Sequence, residues 1–241
     1  MKTKQKVLAL IPARAGSKRI PNKNIRKFSG RPLIAYTILQ ALDLDFVDRV
    51  VVDTDSLKIA NIAKKYGAKV PYLRPARLAG DKAQVVEAII HLLKRLKKEE
   101  NYNPTHIMIL QTTSPLREHK DIRACWDLMK RTRATTVLTM ASTHPRLYYL
   151  NKNKNIILAN KSQAHSTNIQ DWRPAYLLNG CFVYIVKTSA LMKEKKVITK
   201  NTKAIICDKW RSIDLDTPED WVLSEMIYKN KEAIRRRIKK I

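Results

Sequence analysis

The chain has 241 residues, 44% of them apolar, which is enough to bury a substantial core in one domain carrying a subdomain. Its 48 Lys and Arg against 21 Asp and Glu give a formal charge of +27, a balance that attracts polyanions. No long uncharged apolar stretch occurs, which excludes a membrane-spanning helix, and Cys125, Cys181 and Cys207, lacking paired spacing, point to reduced thiols without disulfides or zinc.

The start, Met1-Lys-Thr-Lys-Gln-Lys6, passes directly into an apolar run at 7–11 without a signal peptide's apolar core, so a cytoplasmic location is expected. That run predicts a short buried strand. It leads into Arg14-Ala-Gly16-Ser17-Lys18-Arg19-Ile-Pro21-Asn22-Lys23-Asn24, a turn suited to a polyanion. Gly16 admits close backbone approach, successive amides from Ala13 to Ser17 can form an anion nest, and Arg14, Lys18, Arg19 and Lys23 can neutralise phosphate. The loop is not a Walker A loop, because Ile11 stands where that motif has its first Gly. Nor are any two glycines of the chain two apart, as a dinucleotide fingerprint requires. The plain alternative is a solvated basic turn.

Further along, a helix is predicted over 31–42 with Pro32 in its first turn, a buried strand over 47–53, and a helix over 57–66 that Asp55-Ser56 caps and Gly67 ends. A short strand is expected at 69–73. After Arg74-Pro-Ala-Arg-Leu-Ala-Gly-Asp81-Lys-Ala83, a helix carries Val86, Ile89, Ile90, Leu93 and Leu96. The strand at 106–110 runs into Gln111-Thr-Thr113-Ser-Pro-Leu-Arg117, whose amide and hydroxyl groups offer neutral hydrogen bonds to sugar hydroxyls. A helix over 120–131 and a strand over 136–141 follow. Such alternation predicts an α/β, mostly parallel sheet built by right-handed crossovers, with ligands bound beyond the strand C-termini, where the basic loop lies.

From 142 to 176 the rhythm breaks. Two apolar arms around an Asn/Lys turn at 148–158 predict a hairpin too small to bury both faces unaided. Core strands are expected over 181–186 and 204–207. Next comes Ser212-Ile-Asp214-Leu-Asp216-Thr217-Pro-Glu-Asp220. If 213–216 is extended, Asp214 and Asp216 project from one side, and such a carboxylate pair suits Mg2+. Thr217 and Asp220 form a capping box with Pro218 at the first helical position.

Taken together and in order, the segments at 14–24, 74–83, 110–117 and 212–216 resemble the acylneuraminate cytidylyltransferases, the CMP-sialic acid synthetase family, related to the Kdo cytidylyltransferases. The resemblance implies a three-layer Rossmann-like fold of nucleotide-diphospho-sugar transferase type, one domain over 1–241 with a dimerisation segment inserted at 142–176. It implies a CTP-dependent enzyme that joins CMP to a sialic-acid-like nonulosonic acid and releases pyrophosphate. On this reading Arg14, Lys18 and Lys23 hold the triphosphate with the backbone of Ala13, Gly16 and Ser17, and Asn24 contacts ribose or base. Arg74 and Ala83 meet the base, Gln111 and Thr113 the sugar, and Asp214 and Asp216 carry Mg2+. Asn179, just before Gly180, and Arg173 are the remaining substrate-binding candidates, and a homodimer is expected.

Several departures from the family pattern bear on specificity. Val85 stands where several members have a base-contacting Ser, which leaves the base open. Ile169 and Leu177 replace two sugar-binding arginines, and each lost charge-assisted hydrogen bond costs about 1.5–3 kcal/mol. A GTP-dependent enzyme, or one acting on a legionaminic-, pseudaminic- or Kdo-like acid, is the alternative, followed by a catalytically silent nucleotide-binding module. The positive charge is scattered apart from Arg235-Arg-Arg-Ile-Lys-Lys240, and aromatics do not interleave with it. A Lys-rich solvated surface is therefore expected, and a nucleic-acid partner is not.

Overall fold

The computed structural model describes residues 5–159, 168, 172–178 and 182–241. In chain order its first half contains β1 (Val7–Pro12), β2 (Lys27–Phe28), β3 (Arg31–Pro32), α1 (Leu33–Leu42), β4 (Arg49–Asp53), α2 (Leu57–Lys65), α3 (Val85–Glu100) and β5 (His106–Ile109). The second half adds α4 (His119–Arg131), β6 (Thr136–Thr143), β7 (Tyr148–Leu150), β8 (Ile156–Leu158), β9 (Ala175–Leu178), β10 (Tyr184–Lys187), α5 (Thr188–Glu194), β11 (Thr202–Cys207) and α6 (Pro218–Ile238).

The main sheet runs β11-β6-β10-β5-β1-β4, with β9 alongside the far half of β6. Since β4 and β5 are parallel to β1, β11 is parallel to β6, and β10 runs against both β5 and β6, β9 and β10 are the two strands opposed to the other five. Strand alternation sorts the core into two layers around the sheet. Val7, Ala9 and Ile11 pack with Ile34 and Ile38 of α1, Ile59 of α2 and Trp126 of α4. Leu8 and Leu10 pack on the other face with Ile89, Leu92 and Leu96 of α3 and Leu191 of α5. The expected three-layer α/β sandwich is the result.

Local differences have physical causes. The 69–73 stretch is not a strand; Lys69 alone bridges Val51. Arg31 and Pro32 pair with β2, so the first helix begins at Leu33, with Pro32 as its N-cap. At Gly67, which ends the second helix, φ is +93° and an added Cβ would lie 3.0 Å from Leu42 Cδ1, so both backbone and packing select glycine there. The hairpin forms as β7 and β8 with Tyr149 opposite Ile157, and Tyr149, Leu150 and Ile156 are each more than 65% exposed.

A third, smaller cluster joins the two ends of the described chain. Ile20 of the basic loop, Phe28, Leu33, Leu215 and Trp221 of α6 pack together, with the Phe28 and Trp221 rings edge-to-face at 5.5 Å. α6 starts as the sequence indicates: Thr217 accepts from the Asp220 amide, Asp220 returns the bond to the Thr217 amide at 2.8 Å, and Pro218 opens the helix. This cluster brings Asp214 and Asp216 up to the basic loop. Beneath the site, the buried Arg117 guanidinium binds Gln40 Oε1 (2.7 Å), the carbonyls of Gln111 and Phe182, and the Thr37 hydroxyl, fixing the backbone turn that presents Gln111. Cys125 and Cys207 are buried free thiols, and Cys181 lies outside the described residues.

Candidate active site

β1, β4 and β5 end at the same rim of the sheet, and their C-terminal extensions surround a cleft of about 490 Å3. Arg14, Ser17, Lys18, Arg19, Lys23 and Asn24 line one side of it; Arg74, Val85, Gln111, Thr112, Thr113 and Asp216 line the rest. Among the described residues no histidine lines it. Most of the sequence candidates therefore converge, although many of their polar groups already have partners within the protein.

Lys23 is held deepest of the cations of the basic loop, its side chain 14% exposed, with Nζ 2.5 Å from the Leu215 carbonyl and 3.7 Å from Asp216. Arg19 pairs with the same carboxylate at 3.0 Å. Arg14 and Lys18 both reach Asp81, at 3.0 and 2.5 Å. These two cations hold the Asp81 carboxyl below its ordinary range, with the hydrogen bond from Lys18 the largest cause. Asp81 sits in the segment before α3, so it ties the basic loop to the part of the chain that carries Ala83.

The amide nest is smaller than the sequence suggests. The Ala13 amide continues the sheet to the Asp53 carbonyl, Ala15 donates to Asp55 Oδ1 and Ser17 to the Ala15 carbonyl, at 2.8–2.9 Å. Among the described residues, the amides of Arg14 and Gly16 have no protein acceptor. A Cβ on Gly16 would meet open space, so no packing within the chain requires glycine there. Asn24 also differs from expectation. It is buried, donating to the Arg14 carbonyl at 2.9 Å and accepting from the Thr112 hydroxyl at 2.5 Å, and so pins the loop to the rim of β5. The Arg74 guanidinium is fixed by Asp53, through Nε at 2.9 Å and a second nitrogen at 2.8 Å, with one edge on the cleft. Ala83 is half-buried, its amide bonded to the Gly80 carbonyl, and it does not line the cleft, whereas Val85 does.

The acidic segment is not extended. The Asp216 amide bonds the Asp214 carbonyl at 2.9 Å in a tight turn around Leu215, whose own amide bonds the Thr113 carbonyl. Leu215 is driven into the small apolar cluster, and Asp214 and Asp216 still lie near each other. Burial raises the Asp214 carboxyl above its ordinary range; Asp216 adds to this and the Thr113 hydroxyl opposes it. Asp214 Oδ1 is buried with no hydrogen-bond partner. A buried, unpartnered carboxylate oxygen beside a second carboxylate fits a hard divalent cation. Among the described residues no group of three or more His, Cys, Asp or Glu side chains is placed to hold a metal ion, so protein donors here would be limited to these two carboxylates.

This arrangement gives a stability prediction. Because the folded-state pKa of Asp214 is raised, its ionisation costs stability above that pKa, and a neutral side chain relieves the cost. In chelator, Asp214→Asn should raise Tm at neutral pH. The gain should vanish below about pH 4, where both forms are neutral. A thermal melt across pH checks this, and a lower Tm at neutral pH would contradict it.

The other sugar candidates are less central. Arg173 is exposed and does not line the cleft. Asn179 and Ile169 lie outside the described residues, and Leu177 is an exposed residue of β9 opposite Ala141. Sequence reasoning had no role for Asp53, Thr112 or Arg117 and gave Asp55 only a helix-capping one, although all four fix the loop and the rim. For Asp53, Asp55 and Thr112 the cue available was their type, an acid or hydroxyl at or just past the end of a buried strand, where cations of neighbouring loops converge.

A Rossmann-like sheet with a cationic loop at the end of its first strand and Asp216 facing it is an arrangement suited to binding phosphate esters. The chain belongs to the cytidylyltransferase family, whose sequence model matches residues 8–234. It is 36% identical over 233 residues to the CMP-N,N'-diacetyllegionaminic acid synthase of Legionella pneumophila, covering 95% of this chain and 99% of that one. It is 31% identical to the pseudaminic acid cytidylyltransferase of Campylobacter jejuni, covering 93% and 97%. The N-acylneuraminate cytidylyltransferase of Escherichia coli is 30% identical over 94% of this chain, which spans 53% of that longer protein. Among solved structures, a CMP:2-keto-3-deoxy-manno-octonic acid synthetase complexed with CTP superposes with a TM-score of 0.71, over 94% of this chain and 100% of that one. At 15% identity that likeness carries the fold alone.

Proposed function

We propose that the protein activates a nonulosonic acid with CTP, forming the CMP-sugar and pyrophosphate. The observation that carries this reading is the cleft itself, where Arg14, Lys18, Arg19 and Lys23 face Asp216 across a rim of uncharged Gln111 and Thr113. The sugar's anomeric hydroxyl attacks the α-phosphorus, its proton is lost, and the α–β phosphoanhydride bond breaks to release pyrophosphate. Arg14, Lys18 and Lys23 neutralise the triphosphate and the charge that gathers on the departing pyrophosphate, with the Arg14 and Gly16 amides as further donors. Asn24 and Thr112 keep that loop in place. The Arg74 edge and Val85 bound the base, while Gln111 and Thr113 orient the sugar. Asp214 and Asp216 would hold Mg2+, whose charge would offset that of the phosphates and acidify the attacking hydroxyl.

For the sugar, a legionaminic- or pseudaminic-type acid is favoured over N-acetylneuraminic acid. Leu177 is apolar where the resemblance expects a carboxylate-binding arginine, and two of the relatives described above are named for those sugars. Pyrophosphate release with Mg2+ tests the reading, crossing CTP, GTP, UTP and ATP against N-acetylneuraminic, legionaminic, pseudaminic and Kdo acids. CTP with N,N'-diacetyllegionaminic or pseudaminic acid should give the highest kcat/KM. Turnover confined to another nucleotide would refute the CTP assignment.

The 142–176 segment supports a homodimer. Its Tyr149, Leu150 and Ile156, together with the neighbouring Leu177, expose apolar surface. Leu150→Asp with Ile156→Asp should shift sedimentation from dimer to monomer and lower specific activity, while the melting of the main domain stays put. A wild-type monomer of full activity would overturn this.

A further inference from the structure

The acidic partners of the basic loop fall into two sets. Arg19 and Lys23 meet Asp216, one of the proposed metal ligands, whereas Arg14 and Lys18 meet Asp81, which has no place in that site. Asp81 lies 67 residues from Arg14 in sequence, and its two oxygens are divided: Oδ1 to the Arg14 guanidinium at 3.0 Å, Oδ2 to Lys18 Nζ at 2.5 Å. One carboxylate therefore sits between two cations as a phosphate group would, with anionic oxygens directed at each. Arg14 also reaches the Ala79 carbonyl at 3.5 Å, so the segment before α3 is drawn onto the basic loop by this contact.

We infer that Asp81 is an internal counter-ion of the phosphate site, which nucleotide or pyrophosphate must displace from Arg14 and Lys18 in order to bind. The inference rests on the proposed phosphate role of those cations. An anion that gains Arg14 and Lys18 does so at the expense of an existing ion pair, and net affinity is lowered by the strength of that pair. All three side chains are more than a third exposed, so water and salt screen the pair and the effect is moderate. Two consequences follow for the reaction. Held by Asp81, both cations are already placed before the triphosphate arrives, so Asp81 acts as a positioning residue. When pyrophosphate leaves, the carboxylate returns to its partners and competes against rebinding, which favours product release.

The test is titration of inorganic pyrophosphate into wild type, Asp81→Asn, Lys18→Gln and the double variant, at low and high salt, with steady-state kinetics on the first two. Asp81→Asn should bind pyrophosphate about three- to ten-fold more tightly at low salt, with the advantage shrinking as salt rises. The gain should be smaller when Lys18 is already Gln, since that cation is one of the two released. In turnover, KM for CTP should fall together with kcat as product release slows, a split that a purely structural defect would not produce. Unchanged or weaker pyrophosphate binding by a folded Asp81→Asn would overturn the inference while leaving the phosphate site standing. Failure of wild type itself to bind pyrophosphate would overturn the phosphate site and the inference with it.

Discussion

Lys23→Ala should lower kcat by about two to three orders of magnitude, with Tm within a few degrees of wild type. Lys23 is the least exposed cation of the loop, and its Nζ is held by the Leu215 carbonyl and Asp216 at the point where the first loop meets the acidic segment. A cation held in a partly dry cleft acts more strongly on developing charge than one in open water, and little reorganisation is needed as the reaction proceeds. Charge accumulates on pyrophosphate as the bond breaks, so the loss should fall mainly on kcat, with a smaller change in KM for CTP. Steady-state pyrophosphate release beside a thermal melt separates the two effects. Wild-type turnover in the folded variant would remove Lys23 from the mechanism.

The largest stability effect is expected far from the chemistry, at Asp121. Arg211 is 2% exposed and Asp121 5%, and they are joined by two hydrogen bonds of 2.7 and 3.0 Å. Asp121→Ala leaves a buried guanidinium without its principal partner, a change that costs about 3–5 kcal/mol. Asp208, 2.9 Å from Arg211 Nε, remains, which places the expected loss near the lower end. With Tm shifting about 2–4 °C per kcal/mol in a chain of this size, a fall of about 6–12 °C is expected, or more as the α4 capping box is also lost. Asp121→Asn, which keeps one polar contact, should lose less. If the alanine variant melted like wild type, the pair would carry no stability.

The sequence was most legible where chemistry and local pattern coincide. Alternating apolar runs gave the order of strands and helices, and the Thr217-Pro218-Glu219-Asp220 stretch gave the start of α6 to the residue. The basic loop and the two aspartates were readable because a dense run of cations and a spaced carboxylate pair are local features. What they pair with was not local. Lys23 and Leu215 are 192 residues apart, Arg14 and Asp81 67 apart, and nothing in either segment announces the other. The same reason explains Asn24 and Arg74, read as free to meet a nucleotide but held by Thr112 and Asp53. The alternation of polar and apolar residues at 213–216 fits a strand, and a tight turn that buries only Leu215 gives the same alternation. Of the strand expected at 69–73, only Lys69 meets the edge strand β4.

The small cluster of Ile20, Phe28, Leu33, Leu215 and Trp221 has a dynamic consequence. It is separate from the two large cores, so α6 can detach through a sub-global opening that leaves the sheet intact and costs less than unfolding the domain. In that opened form Leu215 leaves its pocket, and the acidic turn no longer faces the basic loop. On the proposed site, a ligand that bridges loop and turn would then hold down α6 without touching it.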